Sequence, residues 1–295
     1  MTTGPDKAPI PRTIWLLWWQ GLEQAPALVK HCYRSWQHHN PGWDVVFLDE
    51  TNYGDYVDIG AILASGNDLK LQAKADVIRI QLLARHGGVW VDATCLCLTP
   101  LSEWLPEHTE SGFFAFYAPQ ENRLLDIWFL ASSPGNLLTA RWAERVNGYL
   151  LGTPRLARRP KTSRWFGWLN RNTRTTRHWF SWLPKKVFRV YPYHWPPYLF
   201  TELVRRDPES RGVWERTKKV RAELPLRLYR AGLLTPITDE LKGEIDRREF
   251  PLYKLTWKRR EQAKHGEDGS RVSVLDYALA SSAGGDTQTG GQNVR

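Results

Sequence analysis

A chain of 295 residues, 42% hydrophobic and 24% charged, is long and apolar enough to bury one sizeable core, or a core with a subdomain. That composition sets intrinsic disorder aside and marks a globular protein with a formal net charge of +10. Its three cysteines, Cys32, Cys95 and Cys97, have no CxxC spacing and read as reduced core residues rather than disulfides or zinc ligands.

The first nine residues are polar, and the apolar run from Ile10 to Trp19 is interrupted by Pro11 and Arg12 and followed by Gln20-Gly21. It is too short to span a membrane and lacks a signal-peptide layout, so the expectation is a cytoplasmic protein. Hydrophobic patterning then predicts a strand at 13–18, a helix from Pro26 to His38, a strand at 44–48, a helix at 72–86, and strands at 88–92 and 112–117. A helix near 134–151 is expected to open with Ser133-Pro134 as cap and first position, and a further helix is expected at 197–206. Strands alternating with helices argue a parallel sheet. The tail from Ser281 to Arg295, rich in Gly, Ser, Thr and Gln, reads as disordered.

The block from Ala75 to Thr94 carries the chemistry. Asp76 and Arg79 are spaced i, i+3 and share one helix face, while Val77, Ile80 and Ala84 run along a second and Ile78 with Leu82 along a third. A helix apolar on two faces is buried. A buried carboxylate and guanidinium are costly unless they pair with each other or hold a polar ligand. Gly87-Gly88 ends the helix, because glycine tolerates the left-handed backbone of a helix C-terminus. Val89-Trp90-Val91 is β-prone and delivers Asp92 to a strand end, where ligands sit in open α/β sheets. Taken singly, an i, i+3 pair is a local salt bridge and a strand-end Asp a turn residue. The combination is the layout a nucleotide-sugar site needs.

Charge and tryptophan are unevenly spread. Between Glu144 and Glu202 there is no acidic residue, yet Arg155, Arg158, Arg159, Lys161, Arg164, Arg171, Arg174, Arg177, Lys185, Lys186 and Arg189 fall there with Trp165, Trp168, Trp179 and Trp182. Three readings compete for this segment. Indoles beside Lys and Arg suit an anionic membrane interface. The same composition suits a polyanionic glycan or a nucleic acid, although no nucleic-acid motif accompanies it. The plainest reading is a solvated basic insertion whose aromatics pack on the main domain.

The block Ala75–Thr94 resembles the core motif of sugar transferases with a DxD signature, and is most similar to the bacterial capsular polysaccharide synthesis glycosyltransferase family, related to clostridial toxin glucosyltransferase domains and yeast mannosyltransferases. Ile14–Gly21 with Ala25-Pro26 and Cys32–Trp36 resembles that family's first strand and helix, Asn40–Asp49 its second strand, and Pro251–Lys258 its closing motif. The resemblance implies a single GT-A-like (Rossmann-like) α/β domain over residues 10–260, its mostly parallel sheet flanked by helices, with a basic Trp-rich insertion at 152–192 and a C-terminal helical region. By kinship it implies retention of anomeric configuration: a sugar moved from a nucleoside diphosphate donor to a hydroxyl of a polysaccharide or lipid-linked glycan, at the inner face of a membrane.

The resemblance also implies roles. Asp76 and Arg79 grip the sugar hydroxyls, and Asp92 takes the donor's ribose and sugar hydroxyls or a metal. Lys254, Thr256, Trp257 and Lys258 cover the diphosphate, and Trp15 and Trp18 are candidate walls for the base, with Gly87, Gly88, Trp90 and Thr94 lining the donor site. One departure matters: the second signature aspartate falls on Thr94, and a hydroxyl is a poor substitute for a carboxylate toward Mg²⁺ or Mn²⁺. Any such ion is therefore expected to bind weakly and together with the donor. The rival expectation is a non-catalytic membrane-, glycan- or nucleic-acid-binding protein on the same fold.

Overall fold

The computed structural model describes residues 9–117, 120–158, 164–258 and 272–283. In chain order the elements are β1 (Thr13–Leu17), α1 (Ala27–His39), β2 (Asp44–Leu48), α2 (Gly60–Ala64), α3 (Leu71–His86), β3 (Gly88–Val91), β4 (Cys95–Cys97), α4 (Leu101–Trp104), β5 (Phe113–Tyr117), β6 (Leu125–Ser132) and α5 (Leu137–Leu151). There follow β7 (Ala157–Arg158), α6 (Thr173–Thr176), β8 (Val190–Tyr191), α7 (Trp195–Arg206), α8 (Pro208–Arg216), β9 (Val220–Arg221), α9 (Arg227–Ala231), α10 (Asp239–Asp246), β10 (Leu252–Lys254) and α11 (Val274–Ser282). They form two compact units: residues up to Ala25 with Gly42–Ala93 and Ser102–Glu223, and Pro26–Pro41 with Thr94–Leu101 and residues from Leu224 onward.

The first unit is built on a sheet of order β2-β1-β3-β6-β5-β9. β1 runs parallel to β2 and β3, and β5 parallel to β9, while β6 runs against both its neighbours. The sheet is thus mostly parallel, as expected, and β6 and the two-residue β9 are its strands that sequence patterning missed. Leu125–Ser132 shows no apolar–polar alternation because all but one of its residues are buried, so the usual period-2 signal is lost. Helix α3 buries Val77, Ile78, Ile80, Leu82 and Leu83 in the same core as Trp90, Phe113, Leu130 and Trp142.

The Gly-Gly turn between α3 and β3 is required on two counts. Gly87 and Gly88 both have positive φ, at 67° and 92°. A Cβ on Gly87 would fall 2.7 Å from Ser132 O and from the Pro134 ring, and one on Gly88 would fall 2.6 Å from Thr13 O. Helix α5 opens at Leu137 rather than at Pro134: Asn136 caps it, its side chain accepting from Leu138 N, while Ser133–Gly135 forms the preceding turn.

The basic insertion leaves the sheet unit at β7 and returns at β8, which pair in parallel with Ala157 opposite Val190. Asp68 bridges to Ala157, and the Tyr191 hydroxyl donates to Asp68 O at 3.0 Å. The insertion is thereby rooted beside the N-terminus of α3. Between its roots the described chain folds into short turns at Arg164–Asn170, Thr173–Thr176, Arg177–Phe180 and Leu183–Phe188.

In the second unit β4 pairs antiparallel with β10, setting Cys95 opposite Lys254 and Cys97 opposite Leu252. Cys32, Leu96, Leu98, Leu241, Ile245, Tyr253 and Val274 make its core. The three cysteines are buried and free, as expected, and burial pushes the Cys97 thiol up to about 12. The tail expected to be disordered from Ser281 is ordered at its start. Ser281 and Ser282 belong to α11, where Ser282 Oγ lies 2.9 Å from His31 Nε2 and the Ser282 carbonyl 3.0 Å from His39 Nε2. Residues 284–295 lie outside the described residues.

Candidate active site

Helix α3 and strand β3 bring Asp76, Arg79 and Asp92 together in the first unit. One guanidinium nitrogen, Arg79 Nη2, lies 3.1 Å from Asp76 Oδ1 and 3.2 Å from Asp92 Oδ1. The other, Nη1, donates to the Ile127 carbonyl on β6, and the guanidinium carbon Cζ lies 4.8 Å from the centre of the Trp90 ring. The Trp90 indole donates to Asp92 Oδ1 at 3.2 Å, and the Asp92 backbone N–H donates to Trp128 O at 2.8 Å. Arg79 is therefore a bridge between two carboxylates, not half of an isolated pair. Its Nε is buried with no hydrogen-bond partner, an orphaned donor in an otherwise satisfied cluster.

Burial separates the three roles. The side chains of Arg79 and Asp76 are 7% and 11% exposed, and that of Asp92 is 28% exposed. Asp92 is thus the carboxylate open to a ligand, with Arg79 and Asp76 behind it. Burial is also the main influence on Asp76, whose carboxyl is pushed up to about 7; Arg79 opposes that shift and Asp92 adds to it.

The sign of that shift makes a prediction. Between 3.8 and about 7 the folded protein holds a proton on Asp76 that the unfolded chain has released. The stability this group contributes is present at the acid end and is lost as pH rises through about 7. Thermal melts of wild type and Asp76→Asn across that window should therefore diverge, wild type losing stability relative to the variant as pH rises. Parallel curves would mean that Asp76 titrates normally.

The remaining candidate residues are distributed unevenly. Trp15 is 4% exposed and its indole donates to Gly87 O at 2.9 Å, so it supports the Gly-Gly turn from within the core. Trp18 follows β1 half-buried, its backbone N–H on Leu48 O at 3.0 Å. Thr94 belongs to the second unit, where its hydroxyl accepts from Lys254 Nζ at 2.5 Å and its carbonyl from Leu255 N at 2.9 Å. Thr256 is half-buried there, and Trp257 and Lys258 are exposed.

Several neighbours escaped the sequence reading. The Ile127 and Trp128 carbonyls of β6 fix Arg79 and Asp92. A second buried ion pair, Arg123–Asp126 at 2.9 Å, repeats the i, i+3 spacing, and the Trp128 indole donates to Asp126 at 3.1 Å. At the roots of the insertion the Arg158 guanidinium lies 4.8 Å from the Tyr193 ring centre. Desolvation around the Tyr193 hydroxyl, and then the charges of Asp76 and Asp92, push that phenol up. In the sequence Arg158 stood only among the cations of the acid-free run, and nothing marked Tyr193.

Among the described residues no three His, Cys, Asp or Glu side chains converge as a metal shell. Asp92 Oδ1 is already shared by a guanidinium and an indole N–H, and the Thr94 hydroxyl takes an ammonium. These residues do not fit a preformed divalent-cation site.

The architecture is that of an α/β protein with a charged cluster at the carboxyl end of a sheet strand, backed by a buried acid–base helix. The chain belongs to the capsular polysaccharide synthesis protein family, whose model matches residues 3–157 and so takes in Asp76, Arg79, Asp92 and Thr94. It is similar to the O-glycosyltransferase braB of Annulohypoxylon truncatum, at 26% identity over 153 residues, which are 45% of this chain and only 36% of that protein's length. Among solved structures it is similar to the PaToxG glycosyltransferase, at 12% identity with a TM-score of 0.41, covering 95% of this chain and 88% of the other.

Proposed function

We propose that the protein is a glycosyltransferase of GT-A type, moving a sugar from a nucleoside diphosphate donor to a hydroxyl of a polysaccharide or lipid-linked glycan, with retention at the anomeric carbon. The observation that carries this reading is the bridged Asp76–Arg79–Asp92 cluster, whose one open carboxylate, Asp92, stands just past the end of β3. Family membership and the similarity to braB support it.

In the reaction the bond from the anomeric carbon to the diphosphate oxygen breaks, a bond to the acceptor oxygen forms, and the acceptor hydroxyl's proton passes to the departing diphosphate, which carries off the electron pair of the broken bond. Asp92 accepts hydrogen bonds from donor hydroxyls. Arg79 holds Asp92 in place, and Asp76 balances the guanidinium from behind. Gly87 and Gly88 let the backbone turn tightly between α3 and β3. Lys254 and Lys258, with Thr256 and Trp257 between them, supply positive charge toward the leaving diphosphate, a role that rests on the resemblance of Pro251–Lys258 to the family's closing motif. Positive charge at that point is the task a divalent ion performs in many such reactions, and any Mn²⁺ or Mg²⁺ here enters with the donor phosphates. The protein acts at the inner face of a membrane as a peripheral protein; no helix among the described residues is long and apolar enough to cross one.

A panel of nucleoside diphosphate sugars screened by thermal shift tests the reading, since a ligand that binds only the native state raises the transition. The stabilising donor should also be hydrolysed slowly by the purified protein. Stabilisation without turnover, in the presence of glycan acceptors as well, would favour a binding protein on this fold.

The metal reading is tested with the same donor. Mn²⁺ titrated into the protein alone should show no tight site, and turnover should fall in EDTA without vanishing. Lys254→Ala should remove the turnover that survives chelation, by about a hundredfold if that ammonium stabilises the leaving group. Complete loss of wild-type activity in chelator would assign the charge to a metal instead.

A further inference from the structure

The aromatic residues of the basic insertion divide into two sets. Trp179 is completely buried and donates to Asn170 Oδ1 at 2.9 Å, and with Leu169 and Tyr198 it forms a small core on which Phe166, Phe180 and Val190 pack. The plain reading of a self-packed insertion accounts for those residues. It does not account for Trp182, Leu183 and Val187, nor for the outward half of Phe188, whose ring centre lies 5.2 Å from that of Phe166.

These four lie at or within the π-helical turn Leu183–Phe188, which ends at Arg189 in the left-handed region with φ 49°. In an i→i+5 turn, residues four and five apart fall on one side, so Leu183 shares a side with Val187 and Phe188. Pro184 is buried and pins the turn to the protein. The others face outward: Trp182 is 69% exposed and Leu183, Val187 and Phe188 close to half. Single exposed apolar residues are ordinary on a surface, but four within one seven-residue stretch make an apolar edge.

Charge surrounds that edge. Arg171, Arg174, Arg177, Lys186 and Arg189 are exposed, and the sequence supplies no acidic residue between Glu144 and Glu202 to neutralise them. Lys185 is partly withdrawn, its Nζ 5.7 Å from the Tyr149 ring. Outward indole and aliphatic groups flanked by uncompensated cations match the boundary between lipid headgroups and acyl chains. A polyanion in solution would engage the cations alone and would leave Leu183, Val187 and Phe188 facing water.

We infer that the turn Trp182–Phe188 is a membrane-docking edge: Trp182, Leu183, Val187 and Phe188 enter the interface of an anionic phospholipid surface while Arg171, Arg174, Arg177, Lys186 and Arg189 meet its phosphates. The inference concerns the lipid partner alone and does not depend on the transfer reaction.

Co-sedimentation of the full chain with phosphatidylcholine vesicles, with and without phosphatidylglycerol, tests it. Wild type should pellet with the anionic vesicles, weakly with the neutral ones, and less at high salt. Trp182→Ser with Leu183→Ser should lower partitioning at least about tenfold at unchanged charge. Val187→Asp, a single exposed change, should do the same independently. Arg174→Gln with Arg177→Gln should lower it about fivefold per charge on anionic vesicles only. Each variant is read alongside its thermal transition, and the Val187 change keeps the test valid if the double variant melts early. The inference is overturned if wild type ignores anionic vesicles, if the apolar variants pellet like wild type, or if the segment binds heparin or RNA while vesicles leave it in solution.

Discussion

Asp92→Ala is expected to lower donor turnover by at least about a hundredfold, the scale of losing one preorganised electrostatic contact in a site, while leaving the thermal transition close to wild type. The asymmetry follows from exposure. The Asp92 side chain is 28% exposed and stands just past the last residue of β3, so its removal opens no core cavity. What it leaves behind is Arg79 with one carboxylate partner in place of two, and Asp76 remains to pair with it at 3.1 Å. Asp92→Asn sharpens the test. The amide keeps the shape and can still accept from the Trp90 indole, but it loses the charge that Arg79 holds. If Asn retains wild-type turnover, the carboxylate serves only as a hydrogen-bond acceptor. If Ala itself turns over donor at the wild-type rate in a well-folded protein, the site has been placed wrongly.

Much of this site was legible in the sequence because its parts are local. The i, i+3 spacing of Asp76 and Arg79, the Gly-Gly break and the β-prone Val89-Trp90-Val91 lie within one stretch, and the strand at 44–48 and the helix ending at His86 fall where patterning put them. The parts that were not legible are non-local or fully buried. Arg79 is held by a carbonyl of Ile127, 48 residues away. Lys254 reaches Thr94 across 160 residues, a pairing no periodicity encodes. Strand β6 is buried on both faces and so shows no alternation, and the insertion has no periodicity because it folds as short turns around one buried Trp179. The start of α5 was misplaced for a different reason. Ser133-Pro134 has the sequence of a helix start, but Pro134 packs where a Gly87 Cβ would sit, and the cap passes to Asn136.

Arg79→Ala tests the cluster from its other side, and a loss of about 3–5 kcal/mol in stability is expected, the usual cost of removing one member of a buried ionic network. The guanidinium is 7% exposed, and deleting it takes from Asp76 and Asp92 the cation they share, removes a donor from the Ile127 carbonyl and removes the cation whose Cζ lies 4.8 Å from the Trp90 ring centre. Asp76 already has a raised pKa because it is buried, and without Arg79 its neutral form is favoured further. The damage should therefore be smaller in acid, where Asp76 carries a proton, and larger above pH about 7, where wild type ionises it against Arg79. A companion variant separates charge from packing. Arg79→Met with Asp76→Leu removes the buried pair as a whole, and replacing such a pair by apolar side chains of similar volume is often neutral or stabilising. The double variant should recover most of the lost stability yet show no turnover, because Asp92 then lacks the guanidinium that holds its carboxylate. Chemical denaturation of the single and double variants at two pH values, with turnover measured on each, reads both effects. An Arg79→Ala protein as stable as wild type at neutral pH would show that the bridge between Asp76 and Asp92 does not hold the site together, and an active double variant would show that Asp92 needs no guanidinium to do its work.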